Sequence, residues 1–409
     1  MYKMHKSFTL VLCIYICYFI CSFTDVILPT NIFNAFFSLL LLILCFIVNS
    51  KRIFNNLSFI CSIFYCFFLF LAVLDHKLSG FGVRDGGITT AIIELSNILP
   101  AVAASAILLN ERNEALFFSI RKSFLIALCL SFVFVIPPCV IDNSIARRLS
   151  YCDATELGGD IRYFHGWYWG YNMLHVFSIF FPILVGLAHH CYGYYRNYFV
   201  ILSIIILFIT LRLAITTMVI YILTTLPVLA CIMYEKYRLH IIFSVTILII
   251  AIIFNIDLIL DGFLEIYQGT NMEPKIIDFA NMINGREQVY DSFSSRAEFQ
   301  SNALNAFCNS PIIGEEYTGG GHSVILNRFG TAGICGGVTF VLILYFQFKQ
   351  WYRKIPSIAR PYFLLSWLGA LILLYMKNCF GLEGFLLVSI IIPVMCSFMT
   401  HHSSQLHKP

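Results

Sequence analysis

Asp257–Gly330, DLILDGFLEIYQGTNMEPKIIDFANMINGREQVYDSFSSRAEFQSNALNAFCNSPIIGEEYTGGGHSVILNRFG, is the longest polar stretch in a chain that is otherwise a succession of apolar runs. That contrast decides the fold class. Of 409 residues, 59% are hydrophobic and only 12% charged, with a mean hydropathy of +0.82. Soluble domains carry about 25% charged residues. The composition therefore specifies an all-α polytopic membrane protein and excludes an ordinary soluble enzyme. A net charge of +4 implies no nucleic-acid partner, because the basic residues sit in short connections where membrane topology wants them. The cysteines lie almost entirely in apolar runs, where the thiol behaves as a small hydrophobe, and no CxxC or zinc-type spacing occurs.

A membrane-crossing helix needs roughly 20 apolar residues. About twelve segments qualify, near 8–28, 32–48, 57–74, 89–109, 122–141, 171–188, 196–211, 214–233, 240–257, 332–347, 360–377 and 382–399. The first is long enough to span and lacks a small-residue cleavage site, so it reads as a span rather than a leader. Lys51, Arg52, Arg121, Lys122, Lys236, Arg238, Lys349, Arg353 and Lys354 cluster in connections on one side. Positive residues mark the cytoplasmic face, which puts both termini inside and the polar stretch outside. The expected organisation is spans one to nine over 1–257, a large outer loop over 258–331 between spans nine and ten, and spans ten to twelve with a short tail over 332–409.

A loop of this length between short connections is a functional insert. Ser295-Arg296-Ala297-Glu298 reads as a capping box. Phe299, Ala303, Leu304 and Phe307 follow at helical spacing. The helix should stop at Asn309-Ser310-Pro311, since the residue before proline avoids helical angles. Gly319-Gly320-Gly321 then forms a pliable turn closed by His322. The loop reads as an active-site cap.

Several outer-side residues are candidates for chemistry. Arg212 occupies a nearly loopless junction between two apolar runs, where an arginine either snorkels to the interface or faces an internal cavity. Arg296, in a first helical turn, opposes the macrodipole unless it holds an anionic ligand there, the alternative being a local pair with Glu298. His322 can accept a proton from a hydroxyl, although a loop histidine is more often inert. Arg84 lies in the outer connection near 75–88, and Arg162 and Asn172 bound an aromatic stretch whose tyrosines and tryptophans suit a membrane-interface belt. Arg328 lies at the far end of the loop. His189-His190 and His401-His402 look like metal pairs but lie on the inner side without acidic partners, and read as solvated loop residues.

Thr210-Leu211-Arg212 opening a span, Ser295-Arg296-Ala297-Glu298 with a helix ending at Asn309-Ser310-Pro311-Ile312-Ile313-Gly314, and His322 followed by Gly330 and Gly333 together resemble the O-antigen polymerase and O-antigen ligase superfamily. The Arg162–Asn172 stretch is similar to the family's pattern before a mid-chain span. The resemblance covers the topology of the whole chain and these patches by motif. It implies a GT-C-like, inverting, metal-independent glycosyltransferase with no cofactor, in the bacterial inner membrane, its active site periplasmic. The donor would be glycan on undecaprenyl diphosphate, with a chain-length regulator as a candidate protein partner. Arg212 and Arg296 would bind the diphosphate and His322 would activate the acceptor or position the donor, with Arg84, Arg162, Asn172 and Arg328 as substrate-binding residues. The ligase branch has Asn directly after the histidine, where this chain has Ser323. That departure favours a repeat-unit polymerase. The alternatives are the ligase, which transfers polymer to lipid A–core, and a flippase for lipid-linked oligosaccharide.

Overall fold

The computed structural model describes residues 2–20, 30–78, 87–111, 113–141, 171–212, 216–268, 273–286, 294–314, 323–376 and 382–403. These residues are almost all helical, joined by short turns, with no strand among them. In chain order the helices are α1 (Tyr2–Ile20), α2 (Thr30–Phe54), α3 (Leu57–Leu78), α4 (Gly87–Leu108), α5 (Glu114–Ile141), α6 (Tyr171–His190), α7 (Tyr194–Arg212), α8 (Thr216–Met233) and α9 (Arg238–Phe254). There follow α10 (Ile256–Tyr267), α11 (Glu273–Ile283), α12 (Ser294–Asn309), α13 (Val324–Lys354) and α14 (Arg360–Met376). The last helix, α15, comprises Leu382–Leu386, a π-helical turn Leu387–Ile391 and Ile392–Ser403.

Among the described residues six helices are long and apolar enough to cross a membrane, within Ala35–Phe54, Leu57–Asp75, Glu114–Val133, Glu235–Phe254, Val324–Lys354 and Ser357–Tyr375, and shorter apolar helices accompany them. The molecule is a helical membrane protein. Among the described residues each apolar segment read from the sequence overlaps a helix, the segment near 240–257 running past Asn255 from α9 into α10. The polar stretch holds more order than the sequence suggested. Asn255 leaves helical geometry (φ −117°, ψ 25°) and ends α9, after which α10 and α11 follow. The tenth apolar helix begins at Val324 rather than at 332, and residue 332 marks a break inside it.

The bundle closes around α4 and α13. From Ala101 to Ala106 every residue of α4 is fully buried, and the run is mostly alanine. Small side chains let neighbouring helices approach closely, which is how apolar helices associate without a hydrophobic driving force between them. α13 packs on α3, α2 on α4, α6 on α7, α1 on α5, and α12 on the start of α13. No residue of α9 is buried. That helix, apolar all round, hangs on α8 at the periphery with its surface left for lipid.

One end of the core is fastened by a polar chain. Asn56 caps α3 by accepting from the Ser58 N–H at 3.0 Å, and its amide donates to Gln350 Oε1 at 2.9 Å. Gln347 Nε2 donates to Ser58 Oγ at 2.8 Å, Ser105 Oγ donates to Gln347 Oε1 at 2.8 Å, and Trp351 Nε1 donates to Ser105 Oγ at 2.9 Å. Ser58, Ser105 and Gln347 are buried to within 1%. The network joins α3, α4 and α13, and each donor has an acceptor. Beside it Arg52 pairs with Glu111 at 3.6 Å. His189 and His190 stand in the last turn of α6 rather than in a loop, His189 exposed and His190 half-buried. His189 Nδ1 lies 3.1 Å from the Tyr362 hydroxyl, and the His190 ring meets the Tyr362 ring edge-on.

Candidate active site

The opposite end of α13 is built differently. Ser323 caps the helix, its hydroxyl accepting from the Leu326 N–H at 3.3 Å. The helix then breaks at Ala332 (φ −124°, ψ 16°) and Gly333 (φ 61°, ψ −164°). The second pair of angles belongs to a region that side-chain-bearing residues avoid. Broken backbone at membrane depth must find new partners. Here the Ile334 N–H donates to the Pro311 carbonyl at 2.8 Å, replacing the bond that an unbroken helix would make to Gly330.

The partner strand of chain is Pro311–Gly314, the turn that follows α12. Its Ile312 carbonyl lies so close to Gly333 Cα that a Cβ there would overlap it. Gly314, at φ 89°, faces the Thr331 carbonyl just as tightly. A Cβ on Gly330 would come within 3.0 Å of the Ala303 carbonyl oxygen. Phe307 and Phe329 add an edge-to-face contact with centroids 5.8 Å apart. Three glycines thus let two backbones interlock. The interlock ties the α12 helix, which carries Arg296 in its first turn, to the helix whose cap, Ser323, immediately follows His322 in the chain.

α12 begins at Ser294, one residue ahead of the expected capping serine, and ends at Asn309, where the Asn309-Ser310-Pro311 signal put it. Among the candidate residues, Arg84, Arg162 and His322 lie outside the described residues. Arg212 closes α7, Asn172 lies in the first turn of α6 and Arg296 in that of α12; for these the backbone alone is described. Arg328 is seen in full. It is half-buried, its guanidinium 5.8 Å from the centre of the Phe340 ring, one helical segment beyond the break. Phe340 is buried against Tyr65 and Phe385, so the cation is turned toward the bundle interior. Intramembrane cations with such an orientation mark ligand or ion sites.

Two buried polar residues went unread in the sequence. Asp278, on α11, is fully buried, and Asn327, next to Arg328, is 7% exposed. Asp278 sits in Ile276-Ile277-Asp278-Phe279, where its apolar neighbours on a short amphipathic helix were the available signal. A buried amide adjoining an inward-turned arginine can bind a polar, hydroxyl-rich ligand by charge-assisted hydrogen bonds. No protein-family model matches the chain, and no curated protein is significantly similar to it.

Proposed function

We propose that the protein is a repeat-unit polymerase of the O-antigen polymerase and ligase type, a GT-C-like enzyme of about twelve spans in a bacterial inner membrane. In this reading both termini are cytoplasmic and the segment from 258 to 331 caps a periplasmic site. The observation that carries the proposal is the glycine interlock of Pro311–Gly314 with the broken entry of α13. It couples the Arg296 helix rigidly to the element next to His322, on the two motif patches on which the resemblance rests. The inward Arg328 is a second support.

The reaction would join a sugar hydroxyl of a new lipid-linked unit to the anomeric carbon of the growing chain. The hydroxyl oxygen forms the new bond as the anomeric C–O bond to diphosphate breaks, and the hydroxyl proton passes to the His322 imidazole. Undecaprenyl diphosphate leaves as an anion. Arg212 and Arg296 offset the charge that develops on it, the electrostatic contribution that usually dominates such chemistry. Arg84, Arg162, Asn172 and Arg328 hold donor and acceptor. The reading requires no metal or cofactor.

Deletion of the gene, followed by a lipopolysaccharide gel, tests this. Loss of a polymerase leaves core plus one unit. Bare core with accumulated lipid-linked polymer would indicate the ligase instead. Units trapped on the inner leaflet would indicate the flippase, which one observation favours, the discontinuous α13. The interruption at Asn49 in α2 lies at the basic end of the bundle, so it and the break in α13 do not form a repeated pair. Complementation with Arg296→Ala or Arg212→Ala should give no long chains at unchanged protein level. Arg296→Lys should rescue poorly, because lysine lacks the bidentate fork. A normal ladder from both alanine variants would sink the site assignment.

A further inference from the structure

At the Lys/Arg-rich end of the bundle, α5, α7 and α15 enclose an open groove of about 470 Å³, within the about 300–1,000 Å³ typical of ligand sites. Its floor is one face of α5, on which Phe118, Arg121, Leu125, Cys129 and their neighbours recur at helical spacing. From Phe118 to Leu130 the groove runs about 18 Å at 1.5 Å per residue. That is close to one leaflet of a hydrocarbon core about 30 Å thick. Tyr198 and Phe398 form its walls, and the Tyr198 hydroxyl lies 2.9 Å from Cys129 Sγ.

The charge is all at one end. Arg121 is 7% exposed, yet its Nε, buried, has no hydrogen-bond partner. Its Nη1 donates weakly to Ser397 Oγ at 3.4 Å, and its Nη2 lies 3.6 Å from Glu114, which is 58% exposed. The guanidinium stacks 5.0 Å from the Phe398 ring centre. Lys122, beside it, is exposed. A planar fork held between an aromatic ring and two long polar contacts, with a free donor, is a site for an oxyanion. The glycan reading does not use it, and it does not depend on that reading.

We propose that this groove binds an anionic phospholipid, with its phosphate on Arg121 and Lys122 and one acyl chain laid along Leu125, Ile126 and Cys129. Charge complementarity selects the headgroup, and a length of one leaflet with an apolar floor selects an acyl chain over a soluble anion. Basic residues at the membrane surface recruit anionic lipid in this way, each contributing about fivefold in affinity.

The test uses the purified full chain, delipidated in detergent and offered phosphatidylglycerol or phosphatidylcholine with identical acyl chains. Lipid retained per protein is read by native mass spectrometry. Wild type should retain phosphatidylglycerol about tenfold better. Lys122→Gln should lower that preference about fivefold, and Arg121→Gln should abolish it. Ile126→Trp, at a lipid-facing position 47% exposed, should reduce retention of both lipids by filling the acyl track. If Arg121→Gln fails to fold, Lys122→Gln decides alone. Equal retention of the two lipids by wild type overturns the proposal. So does displacement of phosphatidylglycerol by millimolar glycerol 3-phosphate, which marks a plain anion site, or a delipidated protein that dimerises through this face and takes up no lipid.

Discussion

The two ends of α13 fasten the same helix by opposite means. At the basic end, Gln347 and Trp351 hold α3 and α4 through side-chain hydrogen bonds. At the far end, Gly330 and Gly333 hold α12 and its turn through bare backbone, with the Pro311 carbonyl taking the amide that the break releases. Side-chain bonds tolerate loss by degrees, because a neighbour can shift or water can enter. Backbone set against backbone has no such freedom, since neither carbonyl nor Cα can rotate away. The glycine end should therefore fail abruptly and the polar end gradually.

Substitutions at the glycines should break that comparison most sharply. Gly333→Ala introduces a Cβ into the Ile312 carbonyl at a backbone angle that alanine avoids, and should cost more than about 3 kcal/mol. Gly314→Ala, against the Thr331 carbonyl, should behave alike. A thiol-reactive dye that reports heat-exposed Cys45, Cys191 and Cys396, all buried in the native protein, would show early unfolding or no folded protein. If Gly333→Ala melts with wild type, the interlock is not what ties α12 to α13.

Gln347→Leu tests the other end. It removes the bonds to Ser58 and Ser105 and leaves both hydroxyls buried, for a loss of about 2–3 kcal/mol. Ser105→Ala, which strands the Trp351 indole N–H, should cost about 1–2 kcal/mol. Both variants should still fold, with a lowered melting temperature in the same dye assay. A cost for Gln347→Leu as large as that of Gly333→Ala would erase the distinction between the two ends.

Positions free of contact set the baseline. Gly285 has φ 66° with nothing near its absent Cβ, so Gly285→Ala should cost only the backbone strain, about 1 kcal/mol. Gly262, inside α10, also has open space around it. Gly262→Ala should stabilise by about 0.5–1 kcal/mol. Those two small shifts of opposite sign, read in the same melts, separate strain and helix propensity from collision.

The apolar helices were legible because membrane spanning is a local property: a run of some twenty apolar residues satisfies its own backbone wherever its neighbours lie. The stop at Asn309-Ser310-Pro311 was legible for the same reason, since proline constrains the residue before it. α10 and α11 went unread within Asp257–Arg286, where amphipathic patterns are short and interrupted by glycine and polar residues. Of the candidate site, the sequence offered residue types at the ends of apolar runs. Asn327 was missed because no local pattern distinguishes a buried amide from an exposed one, and Asp278 because its apolar neighbours lie on a short helix that itself went unread.

By itself the sequence determined the class of solvent, the helical segments and the residue types that stand at their ends, all of them consequences of hydropathy and of local backbone preference. Only the tertiary structure decided that α13 breaks at Gly333, that the break receives Pro311–Gly314, and that Arg328 turns inward over Phe340. A glycine permits an unusual angle without requiring it. Whether that freedom is used depends on a carbonyl some twenty residues away in the chain, and such a contact exists only once the helices have packed.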